Sequence, residues 1–288
     1  MTLDKKTKNL AFTIAYGPKR FKDMATTLKK SFKFWNPNID FKIFGEESIT
    51  PMSEIKKKKF YPKDFKRPKL EILSKLKDPN INYMFIDADA VVENNLSKYF
   101  QMIHEDKLII EYKYNNSGYW SNIKNLNFVE TCKKAGLENL LPYSINSGII
   151  MWRGYKSCFE LSLEYILKYD LYDKKGLSGD EYYLCAAIQK CKTQIEPINY
   201  SKIKICKLWN ETFTVKKNKV YVQNLNQSNF DIIHYGNHNY FNLKVLKILK
   251  KYNPDLKVNA YYYFKILINK IKKTFKKIIK LNLTDEKI

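Results

Sequence analysis

The sequence predicts an α/β fold, a mixed and mainly parallel sheet flanked by helices, and three observations carry that expectation. The chain opens with a strand, a helix and a strand. Residues 9–16 (NLAFTIAY) form a continuous apolar run, residues 20–34 place Phe21, Met24, Leu28 and Phe32 at helical spacing, and residues 41–44 (FKIF) make a short second strand. This is the start of a βαβ unit, in which ligands gather at the carboxyl ends of strands. A further apolar run, residues 83–92 (YMFIDADAVV), carries two carboxylates one residue apart. Finally, 288 residues that are 44% apolar and 15% aromatic suffice for one large core.

The first strand ends at Ala15, Tyr16 and Gly17, which stand either beside a nucleotide or in an ordinary strand-end turn. Residues 49–65 are lysine-rich with scattered proline and read as an exposed loop. A helix follows over residues 69–76 through Leu70, Leu73 and Leu76. Arg67 and Lys69, at its start, are candidates to reach a diphosphate, although a solvated surface cation is the commoner fate of such residues.

In a strand, Asp87 and Asp89 point to the same side, so both can converge on one point. Like charges so placed repel unless a cation sits between them. Oxygen ligands suit a hard divalent ion such as Mn²⁺ or Mg²⁺, which keeps positions open for phosphate oxygens. The plainer alternative is a strand-to-loop turn with two solvated carboxylates.

Downstream, residues 108–114 (LIIEYKY) read as a strand, and the loop after it carries Tyr119 and Trp120, aromatics suited to sugar stacking or to anchoring the loop. Residues 143–153 (YSINSGIIMWR) place an Asn146-Ser147-Gly148 turn before an apolar strand. There a glycine permits close backbone approach and the two polar side chains offer hydrogen bonds to hydroxyls. Residues 161–171 are helical by pattern. Another helix starts at Asp180 and Glu181, with Asp180 also well placed as a simple N-cap. Residues 230–235 (FDIIHY) form a strand ending at His234, the most ligand-like of the three histidines.

Beyond Asn253-Pro254 the pattern changes, and we divide the chain into a catalytic domain, residues 1–257, and a basic amphipathic tail, residues 258–288. Phe264, Leu267, Ile268, Ile271, Phe275 and Ile278 line one helical face. Lys265, Lys270, Lys272, Lys273, Lys276, Lys277 and Lys280 surround it, with no acid in the tail before Asp285. Such a helix lies on an anionic membrane surface or packs on the catalytic domain with its lysines solvated. The single sign of charge favours the membrane.

The net charge of +23 suits an anionic partner, which makes a polyanion- or nucleic-acid-binding protein without catalysis the competing reading. Of the 52 basic residues all but Arg20, Arg67 and Arg153 are lysine, and arginine is the residue of bidentate base and phosphate recognition. Nucleic acid is therefore not an expected partner. Five cysteines without a CxxC pair read as reduced thiols. No apolar N-terminal segment or bilayer-length run appears, so the expected location is cytoplasmic, including the cytoplasmic face of a membrane.

The order FIDADAVV, NSGIIMW, GDEYYLC, IIHYGN resembles glycosyltransferases of the GT-A fold, over about residues 9–239. The family it resembles most holds glycogenin and the bacterial lipopolysaccharide galactosyl- and glucosyltransferases. The resemblance implies a metal-dependent enzyme that moves a hexose from a nucleotide-sugar, UDP-linked in the first instance, to a hydroxyl of a glycan or glycolipid. It implies that Asp87 and Asp89 are the DxD motif, with Asp87 shared with the ribose, and that His234 completes the metal site. Asn146, Ser147 and Gly148 would lie beside the donor sugar, and Asp180 and Glu181 near the anomeric carbon. The chain differs from that family in carrying Asp180-Glu181 where Asp-Gln is usual, and in lacking Gly-x-x-Lys-Pro-Trp after its histidine. Glu181 then admits two roles, general base of an inverting displacement or nucleophile and charge stabiliser of a retaining one.

Overall fold

The computed structural model describes residues 7–51, 66–114, 143–168, 180–198, 204–208, 213–216, 219–222, 229–236, 243–256 and 268. Strand β1 (Lys8–Ile14) leads into helix α1 (Lys19–Trp35) and strand β2 (Asp40–Phe44). The residues singled out by helical spacing, Met24, Leu28 and Phe32, are the ones α1 buries. Helix α2 (Arg67–Lys75) precedes β3 (Ile81–Ile86), β4 (Ala90–Val92), α3 (Ser97–Phe100) and β5 (Lys107–Tyr114). Then come β6 (Tyr143–Arg153), α4 (Ser157–Lys168), α5 (Asp180–Lys190) and β7 (Gln194–Pro197). The last described elements are β8 (Ile205–Lys207), β9 (Phe213–Lys216), β10 (Lys219–Val222), β11 (Ile232–His234) and α6 (Leu243–Tyr252).

Six strands form the central sheet in the order β2-β1-β3-β6-β5-β7. The pairs β1/β2, β1/β3 and β5/β7 are parallel, and β6 runs antiparallel between β3 and β5. This is the mixed, mainly parallel sheet that the sequence predicts. Because side chains alternate along each strand, the sheet builds two cores. Phe12, Phe85, Ile150 and Trp152 pack with Leu70 and Leu73 of α2, Phe159 of α4 and Leu184 of α5. Ala11, Met84, Ile86 and Met151 pack with Leu28 and Phe32 of α1 and Tyr99 and Phe100 of α3. Trp152 anchors the first core, stacked on Tyr83 at 5.1 Å and edge-on to Phe159 at 4.9 Å between ring centroids.

A smaller sheet, β4-β11-β8, sits beside the large one, and its residues join α6 in a third core through Val91, Ile233, Val245 and Leu249. The chain crosses from one sheet to the other over Asp87, Ala88 and Asp89. The run 83–92 is therefore two strands in two sheets, and the acidic pair lies in the turn between them. Similarly, Asn146-Ser147-Gly148 is no turn before a strand. It lies inside β6, where the pairing slips: Ile110 faces Ile150 but Glu111 faces Asn146, so residues 147–149 bulge from the ladder with β5. The tail from residue 258, Ile268 apart, lies outside the described residues, as do Tyr119 and Trp120.

Candidate functional site

Two backbone bonds fix the acidic turn. The Asp87 N–H donates to the Gly148 carbonyl at 2.8 Å, and the Asp89 carbonyl accepts from the Tyr235 N–H at 3.0 Å. Register does the rest, since β11 pairs with β4 so that His234 faces Ala90, next to Asp89. The His234 Nε2 consequently stands 2.9 Å from Asp89 Oδ1 and 3.9 Å from Asp87 Oδ2. Donor atoms of all three residues lie within 4.8 Å of one another. An octahedral ion with bonds of about 2.1 Å places neighbouring donors about 3.0 Å apart and opposite donors about 4.2 Å apart. Two carboxylates and one imidazole at these separations fit a Mn²⁺- or Mg²⁺-sized ion, with positions left for other oxygens. His234 is buried while the Asp87 side chain is a third exposed, so the trio opens to solvent on its carboxylate side.

Gly148 makes room for the imidazole. A Cβ at that position would stand 2.5 Å from His234 Cε1 and 2.9 Å from its Nδ1. The need for glycine is thus close approach by a protein side chain, in place of the ligand approach that the sequence invites one to expect.

A second charged cluster adjoins the first. The buried Lys69 Nζ donates to Asp87 Oδ1 at 3.1 Å, to Ser147 Oγ at 2.8 Å and to Asp180 Oδ2 at 2.9 Å, and it lies over the Phe85 ring. The Ser147 hydroxyl donates to Asp180 Oδ2 at 2.6 Å, and the Ser147 N–H donates to Glu181 Oε1 at 3.1 Å. Lys66, half exposed, reaches Asp180 Oδ1 at 3.2 Å. The bulge in β6 thereby brings that strand against the first residues of α5.

Burial and these neighbours set the ionisation of each group. Burial pushes the Asp180 carboxyl up, but Lys69 and Lys66 outweigh it and hold the group well below the usual carboxylate range. Glu181 moves the other way, raised by burial and then by the Asp180 charge. Asp87 is raised by burial, with Lys69 opposing and Asp89 adding to the shift. Burial lowers His234, and the adjacent Asp89 carboxylate more than reverses this, so the imidazole pKa lies above its ordinary value. A bound cation would displace that proton.

A cleft of about 220 Å³ runs alongside, lined by Tyr16, Phe21, Lys66, Lys69, Asp87, Asp89 and Asp180 among others. Of the residues expected at the site, the structure brings together Tyr16, Lys69, Asp87, Asp89, Asn146, Ser147, Gly148, Asp180, Glu181 and His234. Gly17, at φ +86°, turns the chain away after β1, and the buried Ala15 hydrogen-bonds through its N–H to Phe44. Arg67 is not brought to the cleft: its buried guanidinium pairs with Glu71 and donates to the Thr50 carbonyl at 3.0 Å. Lys66 takes its place. The helix begins at Arg67, earlier than the spacing of its leucines indicates, and three-residue spacing puts Lys66 and Lys69 on one side.

No protein-family model matches the chain, and no curated protein is similar to it in sequence. Solved structures are similar in fold. An active-site glutamine-to-glutamate variant of LgtC shares 8% identity over 88% of this chain and 99% of its own, with a TM-score of 0.50. GlyE, a glycosyltransferase of Streptococcus pneumoniae TIGR4, shares 12% identity over 68% of this chain at a TM-score of 0.40; this chain spans 46% of it. Mouse xyloside xylosyltransferase 1 shares 10% identity over 81% of this chain and 98% of its own, at 0.42. The likeness to the LgtC variant gives the chain the GT-A fold.

Proposed function

We propose that the protein is a metal-dependent glycosyltransferase that moves a hexose from a nucleotide-sugar, most directly a UDP-sugar, to a hydroxyl of a glycan or glycolipid. The observation that carries this reading is the Asp87-Asp89-His234 trio beside an open cleft, at the strand ends where a doubly wound sheet binds ligands. Supporting it, LgtC has been solved with donor and acceptor sugar analogues. Asp89 and His234 would hold Mn²⁺ or Mg²⁺ with Asp87, which is exposed enough to share a ribose hydroxyl. The ion would supply Lewis-acid stabilisation of the charge that develops on the departing diphosphate.

The chain's own residues divide the remaining work. Tyr16 flanks the nucleotide, and Asn146 and Ser147 lie beside the donor sugar, while Gly148 keeps its place against His234. Asp180 acts as an anchor. Both its oxygens are taken, by Lys66 on one side and by Lys69 and Ser147 on the other, and its depressed pKa makes it a weak base. Glu181 is the carboxylate for acceptor or sugar chemistry. Its raised pKa brings it toward the working range of a general base, and one oxygen is held by Ser147 of the donor-facing strand. The tail from residue 258 would dock on an anionic membrane surface and present the enzyme to a lipid-linked acceptor. Among the described residues no helix is long and apolar enough to cross a membrane.

The test is a panel of sugar nucleotides incubated with the purified protein and Mn²⁺. Release of one nucleoside diphosphate, abolished by chelation, is the expected result; no metal-dependent cleavage of any donor contradicts the reading.

A further inference from the structure

We infer that Lys66, and not the more deeply placed Lys69, is the side chain that hydrogen-bonds the donor's diphosphate. This rests on the nucleotide-sugar reading above and assigns the cationic part of that site. An ammonium has three N–H donors and no acceptor. All three donors of Lys69 are already used, on Asp87, Asp180 and Ser147, and its side chain is only 8% exposed. It could reach a phosphate only by releasing a buried carboxylate or the Ser147 hydroxyl. Lys69 is therefore the keystone that joins α2, the acidic turn, β6 and α5.

Lys66 sits differently. Its one hydrogen-bonding partner among the described residues is Asp180 Oδ1, at 3.2 Å, which leaves two N–H groups unspent. Its side chain is 50% exposed and lines the cleft with Asp87 and Asp89. Asp180, held by Lys69 and Ser147, gives Lys66 a fixed tether, so the second lysine is oriented before any ligand arrives. Charge balance points the same way. Four carboxylates, Asp87, Asp89, Asp180 and Glu181, crowd this corner, and a diphosphate entering it needs an uncommitted cation in addition to a metal ion.

In the transfer, the acceptor hydroxyl oxygen ends bonded to the anomeric carbon, the bond from that carbon to the diphosphate oxygen breaks with its electron pair leaving on the diphosphate, and the acceptor's proton passes to a carboxylate or to solvent. Lys66 donates hydrogen bonds to that oxygen or its neighbours while keeping its proton. A charge-assisted hydrogen bond of this kind is worth about tenfold to a hundredfold in affinity.

The test is titration of UDP and of uridine, each with Mn²⁺, into the full-length wild-type protein, Lys66→Ala and Lys66→Arg. The inference predicts that Lys66→Ala stays folded, loses about tenfold or more in UDP affinity and keeps its uridine affinity, and that Lys66→Arg regains most of the loss. Wild-type UDP affinity in Lys66→Ala overturns the role of Lys66 and leaves the donor reading standing. Wild-type protein that binds UDP no more tightly than uridine overturns both.

Discussion

Replacing Gly148 by alanine should disable the metal site without touching any of its proposed ligands. The added Cβ would lie 2.5 Å from His234 Cε1, 2.9 Å from Nδ1 and 3.1 Å from Asn146 Oδ1. Carbon atoms pack no closer than about 3.5 Å, so the ring must retreat by roughly 1 Å. It has little freedom to do so within β11. Its strand is paired on both sides, and its carbonyl accepts from the Leu208 N–H at 3.0 Å. A retreat of that size carries Nε2 away from Asp89, now 2.9 Å distant. Displacing a supported ligand in this way costs about tenfold to a hundredfold in metal affinity. Overpacking of this kind costs about 1–3 kcal/mol of stability, or a few degrees in melting temperature for a chain of this size. Calorimetric titration of Mn²⁺ into the variant measures the first effect and a thermal melt the second. Gly154→Ala is the control: it strains a backbone at φ +64°, with Pro79 alone among the described residues near the new Cβ, so it should lower stability and spare metal affinity. A folded Gly148→Ala protein that binds Mn²⁺ as tightly as wild type would refute the reasoning.

Three further outcomes are expected. Glu181→Gln should lower turnover about 10²-fold or more if Glu181 is the general base, and should stay active if the site is retaining; NMR of the product anomer decides the stereochemistry independently. Asp180→Asn should cost about 3–5 kcal/mol at neutral pH by leaving two ammoniums short of a carboxylate. Because the folded pKa of Asp180 lies below its unfolded value of 3.8, that contribution is complete above this value and fades as pH falls through the folded pKa. Urea melts of both proteins should therefore converge toward low pH, and a pH-independent difference would count against the pairing. Deleting residues 258–288 should leave donor hydrolysis intact and abolish sedimentation with anionic vesicles; equal sedimentation of both forms would remove the anchor.

The fold was legible because its signals are periodic. Met24, Leu28 and Phe32 at helical spacing, and the apolar runs of β1 and β3, name the buried faces directly. The acidic pair and His234 were legible as charged ends of apolar runs, but the reason they meet was not. Strand alternation predicts that Asp87 and Asp89 share a side, whereas the structure uses a turn between two sheets. That depends on β4 pairing with β11, some 140 residues later in the chain. The bulge in β6 was hidden for a related reason, since a strand's register against a distant partner leaves no local mark. The leucine spacing starts the helix two residues late and so does not select Lys66. With Pro68 in the first turn as the start signal, three-residue spacing selects Lys66 with Lys69 and turns Arg67 toward Glu71. Gly148 was visible, but its partner was not, because nothing local to NSGII refers to a histidine beyond residue 230.

The most direct test of the metal-centred account compares wild type and Asp89→Ala in Mn²⁺-dependent release of UDP from the UDP-sugar that wild type turns over. Asp89 is a turn residue whose side chain packs in no core, so the variant should fold, lose Mn²⁺ binding and release no UDP at any metal concentration. Turnover by Asp89→Ala at the wild-type rate in metal-free buffer would contradict it.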